Sequence, residues 1–210
     1  MKIVNASYRI ETPVDGAEIL KSIERAGRTC YKSENRITEE SAENFVRKLI
    51  ERGHESVLEH ASITVRFVCD RCISHEIVRH RIASFSQEST RYCNYSNDRF
   101  GSELTFIKPC FLAERKMTYW LWCNAMEFAE WAYSDMLEDG CTPQEARSVL
   151  PSSVKTEVVM TANLREWRHF LRLRTATAAH PQMRELTVPL LYELQRRIPV
   201  VFDDIKEDNI

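Results

Sequence analysis

The sequence predicts a single α+β domain, and three observations carry that reading. Strand-type and helix-type patterns are interspersed along the chain. No linker, repeat or low-complexity tract interrupts them. At 210 residues and 43% hydrophobic, the chain can bury a proper core. Residues 3–10 alternate loosely and read as one strand. Asp15 and Glu18 form a capping-box pattern ahead of Ile19, Leu20, Ile23 and Ala26, with Gly27 placed as the stop. A second helix is expected over 39–52, with Ala42, Phe45, Val46, Leu49 and Ile50 on one face and Gly53 at its end. Residues 62–68 are β-branched and alternating, a strand, and 71–80 read as a helix that delivers Arg79-His80-Arg81. Residues 82–92 lack a sustained period and are read as an ordered loop. A short strand near 104–107 precedes an aromatic helix over 114–137. Thr142-Pro143-Gln144-Glu145 is a capping box with Pro at the first helical position, opening a helix that carries Arg147. A strand over 155–162 and helices over 164–174 and 182–197 complete the chain.

Composition excludes several classes. A net charge of −2 argues against a general nucleic-acid coat or a polybasic membrane binder. No apolar run is long enough to span a bilayer, and the N-terminus turns polar too early for a signal peptide. The seven cysteines (30, 69, 72, 93, 110, 123 and 141) read as reduced thiols of a cytoplasmic protein. Five dispersed glycines (16, 27, 53, 101 and 140) leave no dinucleotide fingerprint or phosphate-cradling glycine loop. Nucleotide phosphates would have to be held by side chains and helix ends. Arginine outnumbers lysine by 21 to 8, a bias that suits bidentate grip on carboxylates and phosphates.

The stretch from Arg79 to Tyr92 carries the most chemistry. Arg79-His80-Arg81 is followed by hydroxyl and amide side chains and then Arg91-Tyr92, with no lysine and one glutamate. Directed donors of this kind fit a dense, specific anion. Ser89 with His80 as base invites a nucleophile reading, but no G-x-S-x-G elbow or orienting acid accompanies it. No metal site is expected. Cys69-Asp70-Arg71-Cys72 has no second pair to complete a zinc site, and Cys69 fits a packed thiol on the apolar face of a strand. His75 and His80, five apart on a helix, cannot face one metal. The cluster from His54 to His60 is either a helix cap with a turn or a ligand-facing connection. Aromatic residues between 119 and 133 suit helix packing or a subunit interface. Asn163 and Arg165 sit where a strand hands over to an anion-attracting helix N-terminus. Arg174, at the far end of that helix, reads by itself as a partner of the helix dipole.

Residues 79–92 resemble the signature of flavin-dependent thymidylate synthases: Arg79-His80-Arg81, then Ser89, with Arg91-Tyr92 following. His54-Glu55-Ser56 with Glu59-His60, Ala146-Arg147 before Leu150-Pro151, and Asn163 with Arg165 before Arg174 resemble the family's other blocks, in order. The resemblance implies one domain over 1–210, mostly helical, with a small mainly antiparallel sheet. It implies reductive methylation of deoxyuridine monophosphate (dUMP) to thymidine monophosphate (dTMP). Methylenetetrahydrofolate would supply the carbon, and flavin adenine dinucleotide (FAD), reduced by NADPH, the hydride.

Arg174 is then the catalytic candidate, beside the pyrimidine, and no enzyme nucleophile is called for. Ser56, Arg79, His80, Arg81, Gln87, Asn163, Arg165 and His169 match FAD-contacting positions. Glu76, Arg79, Gln87, Glu88, Ser89, Thr90, Arg91, Arg147 and Arg174 match dUMP-contacting ones, with 87–91 supplied by a neighbouring subunit of a homotetramer. Neither nucleic acid nor membrane is an implied partner. Gln87 stands where many members have Glu, Glu76 where some have Gln, and His169 where Asn is frequent. The segment 175–180 runs longer than in some relatives, leaving His180 without an assigned role.

Overall fold

A computed structural model describes residues 1–92, 103–112 and 114–207. Cys93 and Gly101, noted above, lie outside the described residues. The fold is α+β, mostly helical with a small mainly antiparallel sheet. The chain divides into two compact units. One comprises Met1–Ser7, Phe67–Arg79 and Phe85–Val159; the other comprises Tyr8–Arg66, His80–Ser84 and Met160–Ile210.

In the first unit, β1 (Lys2–Val4) pairs in parallel with β5 (Thr105–Ile107), matching Ile3 to Phe106. Against this pair lies a core of Leu104, Phe106, Met126, Tyr133, Ala146 and Val154. Met126 and Tyr133 come from α4 (Lys116–Glu138), seven residues apart and so on one face. The opposite face leaves Trp120, Leu121, Phe128 and Trp131 more than half exposed. α3 (Arg71–Ile77) starts on Asp70, whose carboxylate accepts from the Ile73 N–H at 2.8 Å. α5 (Pro143–Ala146) opens on the expected capping box, with Glu145 accepting from both the backbone and the hydroxyl of Thr142.

In the second unit, α1 (Gly16–Thr29) packs on α2 (Ser41–Glu51), and α6 (Leu164–Arg174) packs on α7 (Pro181–Arg197) and on a 3-10 turn over Glu55–His60. Ile23, Val46, Leu58, Ile63, Leu164, Trp167, Phe170 and Leu190 are fully buried there. The Trp167 indole donates to the Ile63 carbonyl at 3.0 Å, so its one polar atom is satisfied inside the core.

Two long strands pass through both units: β3 (Ser62–Asp70) and β6 (Lys155–Asn163). They are the central pair of a four-stranded sheet in the order β2-β3-β6-β4, with β2 at Ser7–Ile10 and β4 at Ser84–Gln87. Both strands alternate buried and less buried residues: Ile63, Val65, Phe67 and Cys69 face in on β3, and Thr156, Val158, Met160 and Ala162 on β6.

Four local expectations need correction. Residues 3–10 are not one strand; β1 and β2 belong to different sheets. The helix expected over 71–80 ends at Ile77, so Arg79, His80 and Arg81 lie beyond it. Residues 82–92 are not all loop, because β4 forms by pairing with β6, and the ladder continues with the Glu88 N–H donating to the Glu157 carbonyl at 2.9 Å. Gly27 does not stop α1, which continues to Thr29. It allows close helix approach instead: a Cβ there would lie 2.7 Å from the Phe45 ring. Gly53 does end its helix, at φ +72°, with the Gly53 and His54 N–H groups capping the Ile50 and Leu49 carbonyls.

The six described cysteines are free thiols. Cys69 is buried and Cys72 exposed, in keeping with a packed thiol. Among the described residues no helix is long and apolar enough to cross a membrane.

Candidate functional site

The strand-to-helix handover at Asn163 organises the second unit's share of the expected site. Asn163 caps α6, its side-chain oxygen accepting from the Glu166 N–H at 2.9 Å. A cavity of about 500 Å³ opens at this helix end. Asn163, Arg165, His169, Arg172 and Ile82 line it, with Glu55 and Glu59 from the 3-10 turn. Three expected FAD positions thus share one concavity, and Ser56 stands exposed on the turn that supplies Glu55 and Glu59. Arg165 is paired with Glu59 at 2.6 Å. Arg172 pairs with Asp204 at 3.0 Å and lies 3.5 Å from Glu55. The cluster from His54 to His60 is therefore both cap and cavity wall.

His80 is buried in the same unit, edge-on to Phe170 with ring centroids 4.8 Å apart. Arg174 Nε lies 3.0 Å from His80 Nε2, and His80 Nδ1 lies 3.2 Å from a Glu166 carboxylate oxygen. A guanidinium only donates, so Nε2 accepts and the ring proton sits on Nδ1, where it donates to Glu166. Burial, the Arg174 charge and His169 together push His80 down to about 4. Burial raises Glu166 above the usual carboxylate range.

Among the described residues, His80, Glu166 and His169 also form a cluster whose ligand-type atoms lie within 4.8 Å of one another. With Nδ1 protonated and an arginine against Nε2, this cluster is arranged for hydrogen bonding rather than for a cation. The same geometry removes His80 as a base for Ser89.

The His80 shift has a signed consequence. In the unfolded chain His80 titrates near its ordinary value of about 6.5, so between there and about 4 the unfolded state holds a proton that the folded state lacks. Folding stability therefore falls as pH drops through that window, by about 2 kcal/mol at pH 5 from this group. Urea unfolding at pH 7 and pH 5 tests this, with His80→Gln expected to show the shallower pH dependence.

In the first unit the expected nucleotide residues cluster around β4 and α5. Gln87 is half-buried, its amide donating to the Ser74 hydroxyl at 2.9 Å and to Thr156 at 3.4 Å. Lys155 bridges Glu88 at 3.1 Å and Glu157 at 2.7 Å. Ser89 Oγ accepts from the Arg91 N–H at 3.2 Å, and Thr90 is buried. Arg91 Nε donates to Gln144 at 3.1 Å, which ties the loop to α5, whose C-cap is the exposed Arg147. Glu76 lies in α3, half-buried, and Arg79 is exposed, as is Arg81 at the start of the second unit's short insertion.

The family model for thymidylate synthase complementing protein matches residues 14–200. The chain belongs to this family. Relatives named flavin-dependent thymidylate synthase include one from Pyrococcus furiosus, 35% identical over 181 residues, 86% of this chain and 71% of the relative. One from Corynebacterium glutamicum is 33% identical over 98% of this chain and 86% of its own length. Another, from Geobacter sulfurreducens, is 34% identical over 85% and 78%.

Three side chains that hold expected site residues or their neighbours in place are not among those singled out by the sequence of this family member. Glu166 orients His80. Lys155 neutralises Glu88. Arg168, fully buried, binds Glu55, Asp204 and the Val201 carbonyl. Arg168 had a readable signal, since it falls on the apolar stripe of α6 with Leu164 and Leu171. His180 finds its role here as the N-cap of α7, its Nδ1 accepting from the Gln182 N–H at 3.3 Å.

Proposed function

We propose that this chain is a flavin-dependent thymidylate synthase, converting dUMP to dTMP with methylenetetrahydrofolate as carbon donor. The observation that carries the reading is the family match over residues 14–200, nearly the whole chain. The α6 cavity suits the implied cofactor: it offers cations and a helix N-terminus to a pyrophosphate, and the apolar Ile82 to a ring. Ser56, Arg79, His80, Arg81, Gln87, Asn163, Arg165 and His169 would hold FAD, which when bound and reduced by NADPH supplies the hydride.

Glu76, Arg79 and residues 87–91 would hold the nucleotide, with Arg147 as an exposed cation for its phosphate. Ser89 acts as a ligand, not a nucleophile. Arg174 acts as the catalytic residue, its guanidinium stabilising negative charge on the uracil as N3 loses its proton. We take 1–210 as one functional domain, located in the cytoplasm, that assembles as a homotetramer. The exposed aromatic face of α4 supports the assembly, being larger and more apolar than a solvated helix face requires.

The test is dUMP turnover with methylenetetrahydrofolate and NADPH, with and without added FAD, following dTMP by chromatography. A yellow protein that forms dTMP is expected. A colourless protein that refuses added flavin, or a flavin-loaded one that forms no dTMP, overturns the reading.

A further inference from the structure

Glu166 and Arg174 are eight residues apart on α6, about 12 Å of helical rise. Helical side chains lean toward the N-terminus, so Arg174 reaches back along its own helix toward Glu166. The His80 imidazole occupies the interval, 3.0 Å from one and 3.2 Å from the other. Phe170, edge-on to the ring, keeps it from rotating freely, and His169 stands on another side with centroids 5.6 Å apart. The Asn163 cap fixes the Glu166 backbone at the start of the helix.

Directionality is settled by donor count. Arg174 can only donate, so Nε2 must accept, Nδ1 must carry the proton, and Glu166 must receive it. A ring protonated at Nε2 would place N–H against N–H and push the guanidinium away, and a flipped ring would offer carbon atoms to both partners.

We infer that Glu166 and His80 form a hydrogen-bonded strut that positions the Arg174 guanidinium, making Glu166 a positioning residue for the reaction; the inference rests on the catalytic reading of Arg174 given above. The strut fixes the Nε edge of the guanidinium. A group whose task is to meet charge at one ring position loses rate steeply when its aim drifts.

The test compares four flavin-loaded proteins: Glu166→Ala, Glu166→Gln, Arg174→Ala and the Glu166→Ala/Arg174→Ala double variant. Glu166→Ala should lose about 10- to 100-fold in kcat with KM for dUMP nearly unchanged. Glu166→Gln, whose amide oxygen still accepts the Nδ1 proton, should recover most of that rate. The double variant should be no slower than Arg174→Ala, because the strut has then nothing to position. Wild-type turnover in Glu166→Ala, or losses that multiply in the double variant, would overturn the strut while leaving the catalytic reading in place. Undiminished turnover in Arg174→Ala removes that reading and the inference with it. Nitrogen-15 histidine spectra of the wild-type holoenzyme provide a check that needs no variant to fold. They should show His80 neutral and protonated at Nδ1 at pH 7, and an Nε2-protonated ring sinks the proposal.

Discussion

Arg174→Ala is expected to keep its flavin absorbance and lose dTMP formation by about 10²- to 10³-fold, the range typical of removing one charge-stabilising donor from an active site. The expectation follows from where the residue stands. Arg174 is half-buried at the last turn of α6, its carbonyl accepting from the Thr187 hydroxyl at 2.8 Å and its Nε donating to His80. It is not one of the residues lining the α6 cavity, so flavin retention and turnover should separate. Arg174→Lys should not restore the rate. An ammonium is a point charge without the planar fork, and it cannot use one edge for His80 and another for the pyrimidine. Steady-state kinetics beside flavin absorbance measures both quantities, and undiminished turnover would strike Arg174 from the catalytic role.

Arg168→Ala should be the most destabilising single substitution considered, by about 2–3 kcal/mol, from the lost packing of a fully buried side chain and from two ion pairs whose carboxylates are partly open to water. Arg168 is fully buried and forks onto Glu55 at 3.0 Å and both carboxylate oxygens of Asp204 at 2.7 and 2.8 Å. Burial pushes the Asp204 carboxyl up, but the Arg168 bond and charge, then Arg172, outweigh it and hold the carboxyl below its ordinary value. Without the guanidinium, Glu55 and Asp204 lose their main counterion. Arg172 remains as a weaker substitute. Arg168→Met fills more of the volume and should recover part of the loss. Urea unfolding of the two variants against wild type decides it: a difference under about 1 kcal/mol for Arg168→Ala would show the triad to be dispensable. Because Glu55 and Arg172 also line the α6 cavity, FAD affinity should weaken in the same variant.

Local signals served the sequence reading well and long-range pairing did not. The 164–174 helix is found at its expected bounds because its apolar stripe and the Asn163 handover are both local. The Thr142 capping box and the Gly53 stop are legible for the same reason. β4 is not legible in the sequence because Ser84-Phe85-Ser86-Gln87 has little strand preference of its own; pairing with β6 makes it a strand. Gly27 is ambiguous in the sequence because a helix stop and a close-packing notch demand the same residue, and only Phe45, eighteen positions on, tells them apart. At the site, the resemblance named residues but not their partners. Gln87 holding Ser74, Arg91 holding Gln144 and Glu166 holding His80 join residues 13, 53 and 86 positions apart.

The C-terminal end of α6 is finished by side chains of α7: Thr187 donates to the Arg174 carbonyl, and Arg184 donates to the Thr175 carbonyl at 3.2 Å. Helix ends usually leave such carbonyls to water. Here the ordering entropy of the Arg174 backbone is lost on folding, so if Arg174 has the proposed catalytic role it need not be lost again in each turnover. Warming that loosens α7 while the rest of the chain stays folded would then silence the enzyme below its melting temperature.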